Sequence, residues 1–242
     1  MAEKQEKTAA IVLAAGKGKR MNSDVHKQYL LIYGKPVIYY TLKAFDESKV
    51  DEVVLVTGEE DIGYCRREII EKYGFKKVSG IVAGGKERFD SVYEGLKAVA
   101  GCDYVLIHDG ARPFITPELI NENIVCVKET GACVTAVPSK DTVKIADEEG
   151  FIRDTPARSL VWLIQTPQSF QYKIILEAYQ KRAEAKDNSV TDDAMVVEKY
   201  AHRKIRLLMG DYRNIKITTP EDMLLAKAFL EEKRDEEKIE KK

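Results

Sequence analysis

The sequence predicts an α/β protein with a doubly wound, mostly parallel (Rossmann-like) sheet and an inserted β-hairpin arm. Short apolar runs alternate with amphipathic helical segments, and the runs are apolar throughout rather than at every second position. Strands of that kind are buried on both faces, as in a parallel sheet covered by helices. A change of pattern near residue 139 predicts the arm.

Strands and helices alternate regularly over the first 138 residues. Five apolar strands are expected, at 9–15, 52–58, 78–85, 104–109 and 132–138. Four helices are expected between them, at 36–45, 61–74, 87–100 and 116–131. Pro36 starts the first helix, and Gly74 closes the second. Thr116 and Pro117 place a hydroxyl N-cap and a proline at the start of the fourth.

The alternation breaks at about residue 139. Residues 139–158 contain two short alternating apolar stretches around the turn segment 147–150, a pattern that predicts a β-hairpin. A two-stranded hairpin is only marginally stable alone, so we expect this arm to pack on a partner subunit. The remaining elements are expected to complete one domain, 1–242: helices near 171–186 and 192–201, a strand at 204–209, and a helix from about 219 that a charged tail from about 231 extends.

The composition excludes several classes of protein. The net charge is −1 although 33% of residues are charged, whereas a general nucleic-acid-binding protein carries a basic excess. No apolar stretch approaches the roughly 20 residues that span a bilayer, and the polar N-terminus lacks the apolar core of a signal peptide. The four cysteines form no C-x-x-C pair, which favours reduced thiols over a zinc site. We expect a cytoplasmic protein with no nucleic-acid or membrane partner.

A basic, glycine-bearing loop follows the first predicted strand. The stretch 13–28, LAAGKGKRMNSDVHKQ, holds Lys17, Lys19, Arg20 and Lys27 against one acid. Glycines let a backbone approach phosphates closely, and cations neutralise a polyanion. Ligands of doubly wound sheets bind outside the carboxyl ends of the strands, where this loop lies. Taken by itself, the fragment fits a phosphate-binding loop and a solvated basic turn equally well.

Two familiar phosphate-binding motifs do not fit this loop. The pattern G-x-x-x-x-G-K-[ST] is absent, and the dinucleotide pattern G-x-G-x-x-G fails at Met21, where its third glycine would stand. A dinucleotide-dependent oxidoreductase is therefore disfavoured. No serine or cysteine has a base partner nearby in the sequence, so covalent catalysis is not expected either.

The segment after the third predicted strand suits a nucleotide. Gly84 and Gly85 allow close approach, and Arg88 and Ser91 lie on the first turn of the next helix. The N-terminus of a helix attracts anions, so a hydroxyl and a guanidinium there can hold nucleotide or ribose oxygens. An ordinary tight turn with an exposed arginine explains the same residues.

Charged residues after two later strands point to the same edge of the sheet. Asp109 ends the fourth predicted strand, where it is placed to hold Mg²⁺ on substrate phosphates, although a turn aspartate is the simpler alternative. Asp211 and Lys216 precede the last helix, and capping of that helix does not explain them. Together with the basic loop, these residues favour a triphosphate site over a solvated turn.

Six motifs occur in a fixed order over about residues 8–230: LAAGKGKRM with KQYL, GGKERFDSV, HDGARPF, P-x-KDT, R-x₃-W-x₃-TPQ-x-F and GDYRNIKITTPED. Together they resemble the bacterial and plastid 2-C-methyl-D-erythritol 4-phosphate cytidylyltransferases of non-mevalonate isoprenoid synthesis. The resemblance implies transfer of CMP from CTP to that polyol phosphate, with release of pyrophosphate. Transfer to ribitol 5-phosphate by a related enzyme is the near alternative. A catalytically silent nucleotide-binding module is an alternative from a different class of protein. Such a module is expected to lack Arg20, Lys27 or Asp109, and all three are present.

The resemblance implies a role for each matching position. Arg20, Lys27 and Lys216 are expected to be catalytic, the first two by stabilising charge on the α-phosphate. Asp109 is expected to bind Mg²⁺. The expected nucleotide-binding residues are Ala14, Ala15, Gly16, Gly18, Gly85, Arg88, Ser91, Gly110 and Ala111. The expected acceptor-binding residues are Thr142, Arg158, Thr166, Thr191 and Asp211. Thr142 and Arg158 would serve the neighbouring subunit of a homodimer.

His26 departs from the family's pattern, which commonly has proline before the loop lysine. Lys27 itself is retained, so we expect activity. Because proline fixes φ and histidine does not, the substitution predicts a more mobile loop. The acceptor phosphate is already an anion at neutral pH, so the implied reaction needs alignment and charge stabilisation rather than a general base.

Overall fold

The computed structural model describes residues 6–16 and 26–240. Its strands are β1 (Thr8–Ala14), β2 (Leu31–Ile32), β3 (Lys35–Pro36), β4 (Glu52–Thr57), β5 (Val78–Ala83), β6 (Tyr104–Asp109), β7 (Ala132–Pro138), β8 (Ile145–Ala146), β9 (Ile152–Asp154), β10 (Trp162–Gln171) and β11 (Arg206–Met209). Its helices are α1 (Val37–Glu47), α2 (Ile62–Tyr64), α3 (Arg88–Ala98), α4 (Pro117–Thr130), α5 (Tyr172–Glu184), α6 (Asp193–Ala201) and α7 (Pro220–Glu240).

Seven strands form one sheet in the order β11-β7-β10-β6-β1-β4-β5. All neighbouring pairs in the sheet are parallel except those of β10, which runs antiparallel to both β6 and β7. The chain reaches β10 from β7 through the arm, so the connection is a long hairpin rather than a helical crossover, and a hairpin returns the strand antiparallel. The predicted mostly parallel, doubly wound sheet is confirmed, and β10 is its antiparallel exception.

Helices cover both faces of the sheet, as double winding requires. Alternate residues of β1 enter two separate cores, with Ala9 and Ile11 on one face and Ala10 and Val12 on the other. The first core contains residues of α3, α5 and α6, and the second contains residues of α1 and α4. Because successive side chains of a strand point to opposite faces, this division follows from the uninterrupted apolar run of β1.

Most predicted boundaries agree with the structure to within two residues. Thr116 caps α4 by accepting the backbone N–H of Leu119, and Gly131 closes that helix in the left-handed region. The segment predicted as one helix at 61–74 is helical, but α2 widens into a π-helix over Cys65–Glu71. Gly74 ends this segment at φ +69°, as predicted. None of the helices in the described ranges combines the length and apolarity needed to cross a bilayer.

The predicted arm is present as a short antiparallel hairpin of β8 and β9. Phe151 and Ile152 at its tip are 68% and 65% exposed. In the single chain, therefore, the apolar residues of the arm lie in solvent rather than against the sheet.

Candidate functional site

The carboxyl ends of β1 and β6 lie side by side at the centre of the sheet, and Asp109 is the last residue of β6. The next residue, Gly110, donates its N–H to the carbonyl of Leu13 at 2.8 Å. A Cβ on Gly110 would lie 2.5 Å from Ile38 and 2.8 Å from that carbonyl. Only glycine allows the chain to turn this closely against β1, and the turn leaves the Asp109 carboxylate at the strand ends.

Three cations converge on Asp109. Lys216 Nζ lies 2.8 Å from Oδ2, Arg88 Nε lies 3.3 Å from Oδ1, and Arg112 Nε lies 3.8 Å from Oδ2. Burial alone would raise the pKa of Asp109, but Arg88, Lys216 and Arg112 outweigh it and hold the pKa well below its ordinary value. The carboxylate is therefore ionised at neutral pH, and the surplus of positive charge around it suits a polyanion.

Arg88 is held by a second, fully buried carboxylate. Its Nη1 and Nη2 donate to the two oxygens of Asp193 at 2.9 and 2.8 Å, and the hydroxyl of Tyr179 donates to the same side chain at 2.6 Å. Burial would lower the pKa of Arg88, but Asp193 and Asp109 keep it raised. This bidentate pair fixes the guanidinium plane between α3 and α6.

A chain of hydrogen bonds fixes the backbone and the protonation state behind Asp109. The N–H of Asp109 donates to Thr166 Oγ1 at 3.0 Å, so the Thr166 hydroxyl is free to donate to His108 Nδ1, also 3.0 Å away. His108 Nε2 then donates to the carbonyl of Arg112 at 3.3 Å. This pattern requires a neutral imidazole. Burial also favours the neutral imidazole, because it lowers the pKa of His108 to about 3.

The segment before α7 carries Lys216 to the site. The N–H of Ile217 donates to the carbonyl of Ala111 at 2.8 Å, and Arg112 Nη1 donates to the carbonyl of Asn214 at 2.7 Å. Asn214 is fully buried. These bonds join the segment to the turn after β6 on both sides of Lys216, which explains how residues more than a hundred positions apart meet.

The loop after β5 meets the end of β1. Gly85 donates its N–H to Ser91 Oγ at 3.1 Å, and a Cβ on Gly84 would lie 2.6 Å from the Cβ of Ala15. On the other side, Gln28 Nε2 donates to the carbonyl of Ala14 at 2.5 Å. The predicted nucleotide segments 14–16 and 84–91 are thus neighbours in space.

Comparison with known proteins shows which family the chain belongs to. A sequence model of 2-C-methyl-D-erythritol 4-phosphate cytidylyltransferase matches residues 8–232. Curated proteins of that name from Lachnoclostridium phytofermentans and Alkaliphilus oremlandii are 52% and 49% identical, and the matches cover 95% and 96% of this chain and 99% of each relative. The chain belongs to this family.

A solved structure of a family member has the same fold. The crystal structure of 4-diphosphocytidyl-2C-methyl-D-erythritol synthase from Anaerococcus prevotii has a TM-score of 0.83 and 38% identity, covering 93% of this chain and 96% of that one. As a member of the 2-C-methyl-D-erythritol 4-phosphate cytidylyltransferase family, this chain is an α/β transferase rather than an oxidoreductase.

The structure brings some of the predicted family site residues together and leaves others apart. Arg88, Asp109, Thr166 and Lys216 form one cluster, and the segments of Ala14, Ala15, Gly16, Gly85, Ser91, Gly110 and Ala111 border it. Gly18 and Arg20 lie outside the described residues. Lys27 is half-buried in a short 3₁₀ turn, Lys27–Tyr29, just beyond them.

Four predicted acceptor residues are exposed, and the side-chain contacts described for them are with groups other than the ion cluster. Thr142 and Arg158 lie on and beside the arm, where Arg158 Nη1 lies 3.5 Å from the carbonyl of Lys140. Thr191 Oγ1 lies 3.6 Å from the sulfur of Met195. Asp211 accepts the N–H of Arg213 at 2.8 Å, which is a turn contact. Their predicted roles stay predictions.

Two residues of the cluster were missed in the sequence. In the sequence, Thr191 followed by the pair Asp192-Asp193 predicts first of all a helix cap, and Asp192 does accept the N–H of Met195 at 2.9 Å. Asp193 is the buried partner of Arg88 instead. A cap needs only one carboxylate, so the second acid of the pair was the available sign that one of them has another role. No role was predicted for Arg112, whose contact with Asp109 depends on how the turn after β6 folds.

The donor set around Asp109 fits Mg²⁺ better than a metal that needs a full protein cage. In the described part of the chain, no group of three or more His, Cys, Asp or Glu side chains converges as metal ligands would. Mg²⁺ is commonly held by one or two carboxylates together with substrate phosphates. Asp109 supplies one such carboxylate, ionised and at the strand ends.

Proposed function

We propose that this chain transfers CMP from CTP to 2-C-methyl-D-erythritol 4-phosphate and releases pyrophosphate, in non-mevalonate isoprenoid precursor synthesis. Membership of the family supports this activity, since relatives about half identical over nearly the whole chain carry its name. The single observation that carries the proposal is that Arg88, Arg112 and Lys216 surround the ionised Asp109 carboxylate at the ends of β1 and β6.

The reaction is an exchange of phosphate bonds. A phosphate oxygen of the acceptor forms a bond to the α-phosphorus of CTP, and the bond from that phosphorus to the bridging oxygen breaks, so pyrophosphate leaves with the electron pair. The second pKa of a phosphate monoester is about 6, so the nucleophile is already ionised at neutral pH. The chain's task is to align two anions and offset their repulsion.

The residues divide this task between them. Arg88, Arg112 and Lys216 supply the positive field at the strand ends, and Arg20 and Lys27 stabilise charge as it develops on the α-phosphate. The glycines of the loops after β1 and β5 let backbone N–H groups approach phosphate oxygens. Asp109 would hold Mg²⁺, which supplies charge neutralisation on the phosphates when it is bound.

We also propose that the chain acts as a homodimer in the cytoplasm, without nucleic-acid or membrane partners. Large apolar side chains are exposed on the arm, on the 3₁₀ turn that follows it and on the start of β10, and they support a dimer: Phe151, Ile152, Leu160, Leu163 and Ile164. In such a dimer Thr142 and Arg158 contribute to the partner's acceptor pocket. The four free cysteines support a reducing compartment. Sedimentation should show a dimer, and a fully active monomer would remove this part of the proposal.

The test of the proposed reaction is pyrophosphate release by purified protein with CTP, Mg²⁺ and 2-C-methyl-D-erythritol 4-phosphate. We expect release with the wild-type chain and a loss of about 100-fold or more in Asp109→Asn, because a charged group in the site is removed. Asp103→Asn is the matched control, since Asp103 lies just before the opposite end of β6. Absence of release with this acceptor, but release with ribitol 5-phosphate, would assign the chain to the alternative reaction.

A further inference from the structure

His26 precedes Lys27 and contacts a carboxylate from another part of the fold. Its Nδ1 lies 2.9 Å from Asp61 Oδ2, and the two side chains are 23% and 18% exposed. An ionised carboxylate can only accept, so Nδ1 of His26 carries the hydrogen. Asp61 ends the 3₁₀ turn Glu59–Asp61 that follows β4. The contact therefore ties the end of the basic loop to the segment after a neighbouring strand.

The two residues after Lys27 are also anchored. Gln28 is buried and donates to the end of β1 through the carbonyl of Ala14. Tyr29 is buried, and its hydroxyl lies 2.6 Å from Thr57 Oγ1 at the end of β4. Lys27 is thus held between a fixed pair on its C-terminal side and His26 on its N-terminal side. The backbone position from which its side chain extends therefore depends on both.

The backbone of His26 has the conformation that proline would impose. Its φ is −58° and its ψ is 135°. The proline ring fixes φ near −65°, and proline in the polyproline II conformation has ψ near 145°, so both angles are compatible with proline. The side chain of histidine is not joined to the backbone nitrogen, so it does not fix φ. A side-chain hydrogen bond to a fixed carboxylate restricts the same backbone from outside.

We propose that the contact between His26 and Asp61 is a clasp that positions Lys27 for phosphate transfer, and that it does the work of a proline ring at position 26. His26 and Asp61 are positioning residues, because they act through Lys27 rather than on the substrate. The proposal rests on the proposed function. Its chemical consequence is specific: loosening the clasp misplaces a cation that stabilises the transition state, so kcat falls while the binding of CTP changes little.

The test is a set of variants assayed for pyrophosphate release with CTP and 2-C-methyl-D-erythritol 4-phosphate. A misplacement of about 1 Å can cost about 100-fold in rate, and this partly exposed clasp should cost about 10-fold. We expect Asp61→Ala to lower kcat about 10-fold and to change the KM for CTP less than about threefold. Glu59→Ala removes the same charge from the same turn and should behave as the wild type.

Asp61→Ala is also made in two variant backgrounds. They show whether its loss of kcat depends on the backbone at position 26 and on the side chain of Lys27. In the His26→Pro background, where the ring supplies the restriction, Asp61→Ala should cost nothing further. In the Lys27→Ala background it should also cost nothing further, because there is no ammonium left to misplace. His26→Ala should repeat the loss of Asp61→Ala, which keeps the test intact if that variant folds poorly. Thermal unfolding of each variant identifies a loss caused by instability.

The outcomes separate the two proposals. A wild-type chain that releases no pyrophosphate overturns the proposed function, and the clasp's catalytic role with it. An active wild type in which Asp61→Ala and His26→Ala keep full kcat overturns the clasp alone. Equal losses from Asp61→Ala in the wild-type, His26→Pro and Lys27→Ala backgrounds also overturn it, because they describe a general structural effect.

Discussion

Replacing Asp193 with asparagine would keep the shape of the side chain and remove its charge. In the folded chain this carboxylate is fully buried and accepts two hydrogen bonds from Arg88 and one from Tyr179. Breaking a buried ion pair by removing one partner costs about 3–5 kcal/mol, because the remaining charge stays buried without compensation. Arg88 keeps its 3.3 Å contact with Asp109, so we expect the lower end, about 3 kcal/mol.

This loss should be visible in thermal and chemical unfolding. For a chain of this size, about 1 kcal/mol shifts the midpoint by about 2–4 °C, so Asp193→Asn should unfold about 6–12 °C below the wild type. The urea midpoint should fall without a change in the slope m, since the folded surface is the same. Turnover should fall as well, because the guanidinium of Arg88 loses the contact that fixes its plane.

Asp192→Asn is the matched control for this prediction. Asp192 carries the same charge one residue earlier, but it is only half-buried, caps α6 through the N–H of Met195 and accepts Gln168 Nε2 at 3.0 Å. Asparagine keeps the cap and loses at most the second hydrogen bond, so this variant should lose about 1 kcal/mol, which corresponds to about 2–4 °C. Equal midpoints for Asp193→Asn and Asp192→Asn would refute the view that the buried Arg88–Asp193 pair supports the site.

Three further predictions concern other parts of the molecule. Because burial lowers the pKa of His108 to about 3, below its unfolded value of about 6.5, the unfolded chain binds the extra proton, and this residue's contribution to the free energy of unfolding should fall by about 1.4 kcal/mol per pH unit from pH 6.5 down to 3. Other groups also titrate in that window, so the contribution of His108 is the difference between two chains: in urea melts the free energy of unfolding should fall more steeply with decreasing pH in the wild type than in His108→Gln. Lys27→Ala should lower kcat about 100-fold or more and leave CTP affinity, measured by calorimetry, within a few-fold. Gly95→Ala should destabilise the chain by about 1–2 kcal/mol in urea melts, because its Cβ would lie 2.6 Å from Ile11, and overpacking outweighs the gain in helix propensity.

Each of these has an outcome that would contradict it. A wild-type slope equal to that of His108→Gln would mean that the imidazole is charged in the folded chain. Equal losses of kcat and of CTP affinity in Lys27→Ala would mean that this residue binds the ground state alone. For the glycine, Gly63→Ala is the control, since the nearest atom to its added Cβ is the flexible end of Arg67 at 3.5 Å. A Gly95→Ala variant as stable as this control would contradict the close packing of α3 on β1.

The elements of the fold were predictable because their signals are local. The apolar run 132–138, which follows Gly131 and ends at Pro138, is typical of a strand. Thr116 with Pro117 is typical of the start of a helix. β10 was not predicted as a strand, because its sequence WLIQTPQSFQ has only a short apolar start followed by polar residues and a proline. Its antiparallel direction depends on how the chain returns from the arm.

The site was predictable as a set of separate residues but not as a cluster. Asp109 and Lys216 were both expected at the strand ends, yet their 2.8 Å contact depends on hydrogen bonds made by Asn214 and Ile217. Asp193 was missed because a helix cap is a sufficient local explanation for an acid at that position, and only tertiary packing shows that it faces Arg88. Long-range contacts of this kind leave no periodicity in the sequence.

The most direct measurement is a competition between the two acceptors. CTP, Mg²⁺ and equal concentrations of 2-C-methyl-D-erythritol 4-phosphate and ribitol 5-phosphate are mixed with the wild-type chain, and ³¹P NMR follows both products. The ratio of initial rates equals the ratio of kcat/KM for the two acceptors. We expect the methylerythritol product to form at least about 100-fold faster, as a site built around one polyol's hydroxyls allows. Equal rates, or a faster ribitol product, would contradict the proposed function.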